Sequence, residues 1–208
     1  MPPKKPATTK TAAKPATKGG AAKGAGAAKP KPKPVAEAPK GPPLPEVKLE
    51  GKKIIPLLTN SADEIRKKYE RWPYIVDSTG VVQRLLRYSD VNVLEVMTSD
   101  DMDPERIRKA LLGSLRYGKP LVFDMGDMDM TSSIEQFLDR IQPDLTKLIL
   151  TKKVLEEECI EKLIKTTDEE DYQNCIFYKQ DGFSFSVITV KEEVSDETKS
   201  KMFVVRVE

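Results

Sequence analysis

The hydrophobic positions of this chain alternate between short apolar runs and stripes at helical spacing. Residues 72–77 and 92–97 form compact apolar runs that are typical of buried strands. Residues 81–86, between the two runs, carry their apolar side chains at helical spacing, after the turn signal Ser78-Thr79-Gly80. The pattern therefore predicts a β-α-β unit.

A long helix is predicted over residues 103–118, followed at once by a strand. Asp103 is a favourable N-cap, Pro104 suits the first helical position, and Gly118 suits the C-terminal cap. Apolar residues between them recur at i, i+4 and i+8, which gives the helix one buried stripe. Residues 120–125 then predict a central strand that carries Asp124 near its carboxyl end.

The remaining carboxyl-terminal patterns complete an α/β domain. Ser132 and Ser133 are predicted to cap a helix that Pro143 ends, and a further helix is predicted over residues 152–165. Strands are predicted over residues 183–190 and 202–207. The alternation of elements predicts a three-layer α/β fold, a mostly parallel sheet flanked by helices, with an antiparallel edge near the carboxyl terminus.

The amino-terminal part has a different composition. Residues 1–46 are rich in Lys, Ala and Pro and contain no aromatic residue, so they cannot bury enough apolar surface to fold, and we expect a disordered basic tail. Residues 47–70 are interpreted as a linker with a short helix, because the stretch Ser61 to Glu64 matches a capping box. Residues 71–208 then form the predicted domain.

Charge is distributed unevenly along the chain. The formal net charge is only +2, yet residues 1–40 contain ten Lys and a single acid, Glu37. Mobile lysines bind polyanions by releasing counterions, without reading a sequence. An acidic protein surface such as that of microtubules and nucleic acid are both compatible partners. The expected polyanion-binding residues are Lys4, Lys5, Lys10, Lys14, Lys18, Lys23, Lys29, Lys31 and Lys33.

Several classes of site are excluded by residues that the chain lacks. It contains no His, and its two Cys, Cys159 and Cys175, have no metal-type spacing. Common zinc sites and Ser-His or Cys-His nucleophilic pairs are therefore ruled out. We expect no metal, no cofactor and no catalytic residue. No secretory apolar region and no run of about 18 apolar residues occurs, which predicts a cytoplasmic protein that does not enter a membrane.

The carboxyl ends of the predicted strands hold the candidate chemistry. Asp77 and Asp124 lie at two such ends, where open α/β sheets bind ligands. Apolar residues followed by Asp124 also outline the magnesium-holding strand of P-loop enzymes, but the Gly-x-x-x-x-Gly-Lys-Ser/Thr string that cradles phosphates is absent. The three acids in residues 124–129 depart from the EF-hand pattern, so we interpret them as a solvated loop.

A family resemblance rests on three strings. These are RWPYIVDSTGVVQRLLR, ALLGSLRYGKPLVFDMGDMD and YKQDGFSFSVITVKEE. They resemble landmarks of an AAA-type module of dynein heavy chains and, more closely, the C-terminal region of IQ motif and ankyrin repeat domain-containing proteins. The resemblance covers about residues 71 to 192.

The resemblance implies roles for particular residues. Asp124 would take the magnesium-strand position and Thr189 would lie near the strand that senses the γ-phosphate. Met125 stands where a hydrolytic module places its catalytic Glu, and no Walker A loop is present. The implication is a degenerate nucleotide fold kept for shape and contacts, with a scaffold role in the cytoskeleton or cilium. A nuclear, chromatin-associated protein and an ATP-binding protein are the alternatives.

Overall fold

The computed structural model describes residues 46–173 and 180–208. Their centre is a six-stranded parallel sheet with the order β1-β6-β2-β5-β4-β3. The strands are β1 (Glu46–Leu49), β2 (Pro73–Val76), β3 (Asn92–Glu95), β4 (Pro120–Asp124), β5 (Ser184–Thr189) and β6 (Phe203–Val207). The predicted α/β class and the mostly parallel sheet are confirmed.

Helices connect the strands. They are α1 (Gly51–Thr59), α2 (Glu64–Lys68), α3 (Val81–Leu86), α4 (Pro104–Tyr117), α5 (Thr131–Ile141), α6 (Leu145–Leu150), α7 (Glu157–Leu163), α8 (Glu170–Gln173) and α9 (Asp196–Lys201). Short 3-10 helices span Lys153–Leu155 and Gln180–Gly182. No helix among the described residues has the length and apolar composition needed to cross a bilayer.

Alternation along the strands divides the core into two layers. In β2, Tyr74 and Val76 point into one layer, and Ile75 points into the other. Helices α4 to α7 cover the layer of Tyr74, and α1 and α3 cover the layer of Ile75. A parallel sheet needs both of its faces covered, and every residue of β2 and β5 is buried.

The predicted antiparallel edge is wrong for the described part of the chain. β6 pairs in parallel with β2 on one side and with β1 on the other, so it lies inside the sheet. The crossover that contains α9 carries the chain back to the starting end of the sheet, which gives β6 the same direction as β5.

Residues 47–70, interpreted from the sequence as a linker and short helix, contribute a strand and two helices to the folded domain. Three side chains of α1, Ile54, Leu57 and Leu58, are fully buried against the sheet. The short helix α2 begins after Asp63, whose carboxylate accepts hydrogen bonds from the Ile65 and Arg66 amides. Residues 47–70 therefore belong to the folded domain.

The ends of α4 follow the predicted caps. The Asp103 carboxylate accepts hydrogen bonds from the Glu105 and Arg106 amides, at 2.9 and 3.1 Å. Gly118 ends the helix in the left-handed conformation, with φ at 64°. Both ends agree with the sequence because each cap is a local interaction.

Two other helices differ from their predictions. α5 begins at Thr131, and the Asp129 carboxylate rather than Ser132 or Ser133 accepts the hydrogen bond from its first amide, at 3.2 Å. The helix predicted over residues 152–165 is broken into a 3-10 turn and α7. Lys152 has a φ of 61° and Glu156 is extended, and these breaks let both Val154 and Ile160 reach the core.

Candidate functional site

The carboxyl edge of the sheet gathers the candidate residues that the sequence singled out. β2, β5 and β4 are consecutive neighbours, and they end at or beside Asp77, Thr189 and Asp124. Gly126 connects two of them, since its amide donates to Asp124 Oδ1 at 3.0 Å and its carbonyl accepts from Thr189 Oγ1 at 2.9 Å. The structure thus brings the three side chains to one edge, as open α/β sheets do with ligand sites.

Asp77 is completely buried and its carboxylate is fully engaged by its own loop. Oδ2 accepts from the Val82 amide at 2.6 Å, and Oδ1 accepts from the Thr79 amide at 3.1 Å and the Thr79 hydroxyl at 2.7 Å. Gly80 supplies the left-handed residue, with φ at 66°, that starts α3. The loop between β2 and α3 has only residues 77–80, which is too short for an eight-residue phosphate-gripping string.

Asp124 is also held by protein groups. Gln83 of α3 donates an amide hydrogen from Nε2 to Asp124 Oδ1 at 2.8 Å, and the Gly126 amide binds the same oxygen. Sequence reasoning missed Gln83, because nothing in its local pattern marks a polar residue on α3 as a partner for a strand 41 residues away. A carboxylate placed this way orders the edge of the sheet.

Met125 points away from this edge. Its side chain is fully buried in the core layer covered by α4, and its sulfur accepts a weak hydrogen bond from the Met130 amide at 3.4 Å. A thioether neither accepts a proton from water at neutral pH nor orients a nucleophile as a carboxylate does. The position therefore supplies no general base.

The loops at this edge are acidic. Exposed carboxylates are Glu95 at the end of β3, Asp100 and Asp103 after it, Asp127 and Asp129 after β4, and Glu192, Glu193, Asp196 and Glu197 after β5. A cleft of about 320 Å³ opens beside Asp124, and its charged lining consists of Arg87, Asp101, Glu95 and Asp124 itself. Three carboxylates against one guanidinium oppose the entry of a polyanion such as a triphosphate.

The acidic run after β4 serves a local structural purpose. Asp129 Oδ1 accepts from both the amide and the hydroxyl of Thr131, at 3.2 and 2.8 Å, and so begins α5. Asp127 is exposed. Among the described residues, no group of three acidic or sulfur side chains is placed to hold a metal ion.

A buried ion pair elsewhere in the domain was missed by sequence reasoning. Arg108 of α4 donates to both oxygens of Asp168, at 2.6 and 2.7 Å, and both side chains are almost fully buried. The Arg108 hydrogen bonds lower the pKa of the Asp168 carboxyl to about 2. Asp168 also accepts from the Lys165 amide, so the pair fixes the segment after α7 onto α4. Its role is structural.

The lysines expected to bind polyanions, from Lys4 to Lys33, lie outside the described residues. Asp124 and Thr189 lie together at the carboxyl edge of the sheet, where both bind Gly126. Cys159 is a buried free thiol in α7.

Comparison with known proteins does not assign the chain to a family. No protein-family model matches the chain, and no solved structure is significantly similar to it.

Proposed function

We propose that this chain is a non-enzymatic scaffold or interaction protein, built on a degenerate nucleotide-type α/β fold. The observation that carries the proposal is the Asp77 carboxylate on the Val82 amide at the start of α3. In nucleotide-binding folds, the amides between a strand and the following helix hold phosphate. Here the Asp77 carboxylate accepts the hydrogen bond of such an amide, so the fold is stabilised without a ligand.

The arrangement of strands supports the AAA-type relationship. That relationship makes β2 the strand before the phosphate loop, β4 the magnesium strand and β5 the γ-phosphate-sensing strand. β5 lies between β2 and β4. Thr189, at the end of β5, and Asp124 both hydrogen-bond to Gly126. The relationship thus accounts for the order of the strands. Asp77, Gln83 and Met125 account for the loss of nucleotide binding and hydrolysis that we propose.

Nucleotide titration tests this proposal. We expect no saturable binding of ATP with Mg²⁺ in equilibrium titration, because the acidic edge repels phosphates and Asp124 is already bonded to Gln83. Asp124→Asn should leave the result unchanged. Saturable, magnesium-dependent binding that Asp124→Asn abolishes would establish the ATP-binding alternative instead.

The lysine-rich residues 1–45 support attachment to a polyanion. We propose the acidic surface of microtubules or an axonemal structure as the target, and hence a cytoplasmic protein of the cytoskeleton or cilium. Chromatin or other nucleic acid, with nuclear localisation, is the second candidate because the same lysine composition favours it.

Deletion of residues 1–45 separates these targets. The deletion ends before Glu46, because the Glu46 carboxylate pairs with Arg206 of β6. Cosedimentation with microtubules and retention on DNA are measured for the full chain and the deletion across a salt series. The cytoskeletal target is favoured if the full chain still binds microtubules at salt concentrations where it no longer binds DNA, and if the deletion removes that binding. The reverse order favours chromatin, and parallel loss of both shows that charge alone decides.

A further inference from the structure

Two clefts border the edge strand β3. On the side of α4 lies a cleft of about 450 Å³, and on the side of α3 lies the cleft of about 320 Å³ that reaches Asp124. Val91 and Val93 contribute to the lining of both. An extended segment lying along β3 would have room for side chains on both faces of the sheet.

Within residues 46–173 and 180–208, the main chain of β3 offers an open hydrogen-bonding position. The Val96 amide donates to the Asp124 carbonyl at 2.8 Å, so by the alternation of a parallel ladder Leu94 and Asn92 also face β4. Val93 and Glu95 therefore face outward. The Glu95 amide is bound by the Asp101 carboxylate at 3.0 Å, which leaves Val93 as the position where an added strand would pair.

Exposed apolar side chains concentrate around this edge. Four large hydrophobic residues are exposed in the described part of the chain, and three of them, Tyr88, Met97 and Tyr117, lie just before β3, just after it and at the end of α4 beside it. The opposite edge strand β1 differs, since Glu46 and Lys48 form ion pairs with Arg206 and Glu208 of its own domain. Such paired charges protect an edge strand from addition.

The cleft on the α4 side is basic. Its charged lining residues are Arg106, Lys109 and Lys119, with no carboxylate among them. Arg106 is 3.6 Å from the Asp101 carboxylate and Lys119 is 2.6 Å from that of Asp90, so both cations are partly neutralised. Lys109 is exposed and supplies the excess positive charge of the cleft.

We propose that β3 is a docking edge for an acidic extended segment of a partner protein, which adds to the sheet as a seventh strand. Main-chain groups of the segment pair with Val93, and alternate side chains enter the two clefts. Acidic side chains of the segment face Lys109 in the α4-side cleft. Apolar side chains enter the α3-side cleft, where Glu95, Asp101 and Asp124 disfavour acidic ones. The proposal names a partner class for the interaction role proposed above, and it can fail while the nucleotide and tail experiments stand.

The test uses the full chain and a fluorescent peptide of alternating Glu and Val. Fluorescence anisotropy is recorded at about 0.3 M salt, which weakens attraction to the lysine-rich residues 1–45. Val93→Pro removes the outward amide and keeps the ladder to β4. Val93→Ala keeps the amide and removes a similar amount of side-chain packing. We expect Val93→Pro to weaken binding by about tenfold, and Val93→Ala to change it by less than about twofold.

Charge and main-chain pairing are tested separately. Lys109→Glu should weaken binding by about fivefold, whereas Lys67→Glu, at an exposed lysine on α2 that lines neither cleft, should not. A peptide of the same charge with N-methylated main-chain amides should lose the Val93-dependent part of the signal. Thermal unfolding confirms that each variant is folded. Equal binding of the methylated peptide, equal effects of the two Val93 variants, or equal binding of an alternating Lys and Val peptide would overturn the proposal.

Discussion

At the scale of single residues, this domain uses buried carboxylates as internal anchors. Asp77 binds the first turn of α3, and Asp168 binds the guanidinium of Arg108. Each one is buried with its hydrogen bonds satisfied, which is the condition for keeping a polar group away from water. One carboxylate therefore anchors the loop between β2 and α3, and the other holds the segment after α7 on α4.

Substitution of Asp77 should show how strongly the domain depends on it. Asp77→Ala leaves the Val82 amide and the Thr79 groups without their acceptor, so we expect the free energy of unfolding to fall by about 2 kcal/mol. Asp124→Asn is the matched control, because an amide oxygen can still accept from Gln83 and Gly126, and it should cost less than about 1 kcal/mol. Urea unfolding measures both. Equal losses would show that Asp77 is no special anchor.

Acid titration should reveal the Asp168 pair. Its pKa falls from 3.8 to about 2 on folding, so the stabilisation is complete above about pH 4 and is lost as the pH falls toward 2. We expect Asp168→Asn to cost about 3 kcal/mol at neutral pH. The difference in unfolding free energy between wild type and variant should shrink by about 2 kcal/mol between pH 4 and pH 2. A difference that stays constant with pH would contradict the assignment.

At the scale of elements, α4 is fixed by contacts at both of its ends. Asp103 and Gly118 form its caps, and Arg108 binds Asp168 in the segment after α7. The Gly118 carbonyl also packs against Gly182, where an added Cβ would lie 2.5 Å from that oxygen. The entry to β5 therefore depends on a backbone contact with the end of α4.

A pair of glycine substitutions tests this contact. Gly182→Ala should lower the free energy of unfolding by about 2 kcal/mol, because backbone cannot move aside as a flexible side chain can. Gly113→Ala, inside α4, is the control, since its new Cβ would lie 3.9 Å from the Tyr172 ring, and it should stabilise by about 0.5–1 kcal/mol. Chemical denaturation of the two variants gives the comparison, and a neutral Gly182→Ala would show that the contact is not tight.

At the scale of the whole molecule, the folded domain includes residues that the sequence pattern assigned to a linker. β1 pairs with β6 over four residues, and α1 covers one face of the sheet. The resulting core has a layer on each face, and neither layer is complete without the helices that cover it.

A comparison of two fragments tests this boundary. Residues 46–208 should fold cooperatively, whereas residues 71–208 should lose near-UV circular dichroism and amide dispersion in NMR spectra. The shorter fragment lacks Ile54, Leu57 and Leu58, whose burial contributes about 6 kcal/mol, comparable with the total stability of a domain. A native-like spectrum from residues 71–208 would show that α1 is dispensable.

Features that depend on neighbouring residues can be predicted from the sequence alone. The caps of α4, the apolar strands β2 and β4, and the absence of a phosphate-gripping string are all set within a few positions of the chain, so pattern and propensity suffice to predict them. The absence of His likewise excludes whole classes of site without reference to the fold.

Features that depend on distant residues are set by the packing of the folded domain. Packing places β6 inside the sheet, pairs Gln83 with Asp124 across 41 positions, and joins Arg108 to Asp168 across 60. It also breaks the helix predicted over residues 152–165, so that Val154 and Ile160 can both be buried. Long-range pairing and burial are set by the packing of the whole domain, and local sequence patterns do not encode which distant surfaces will meet.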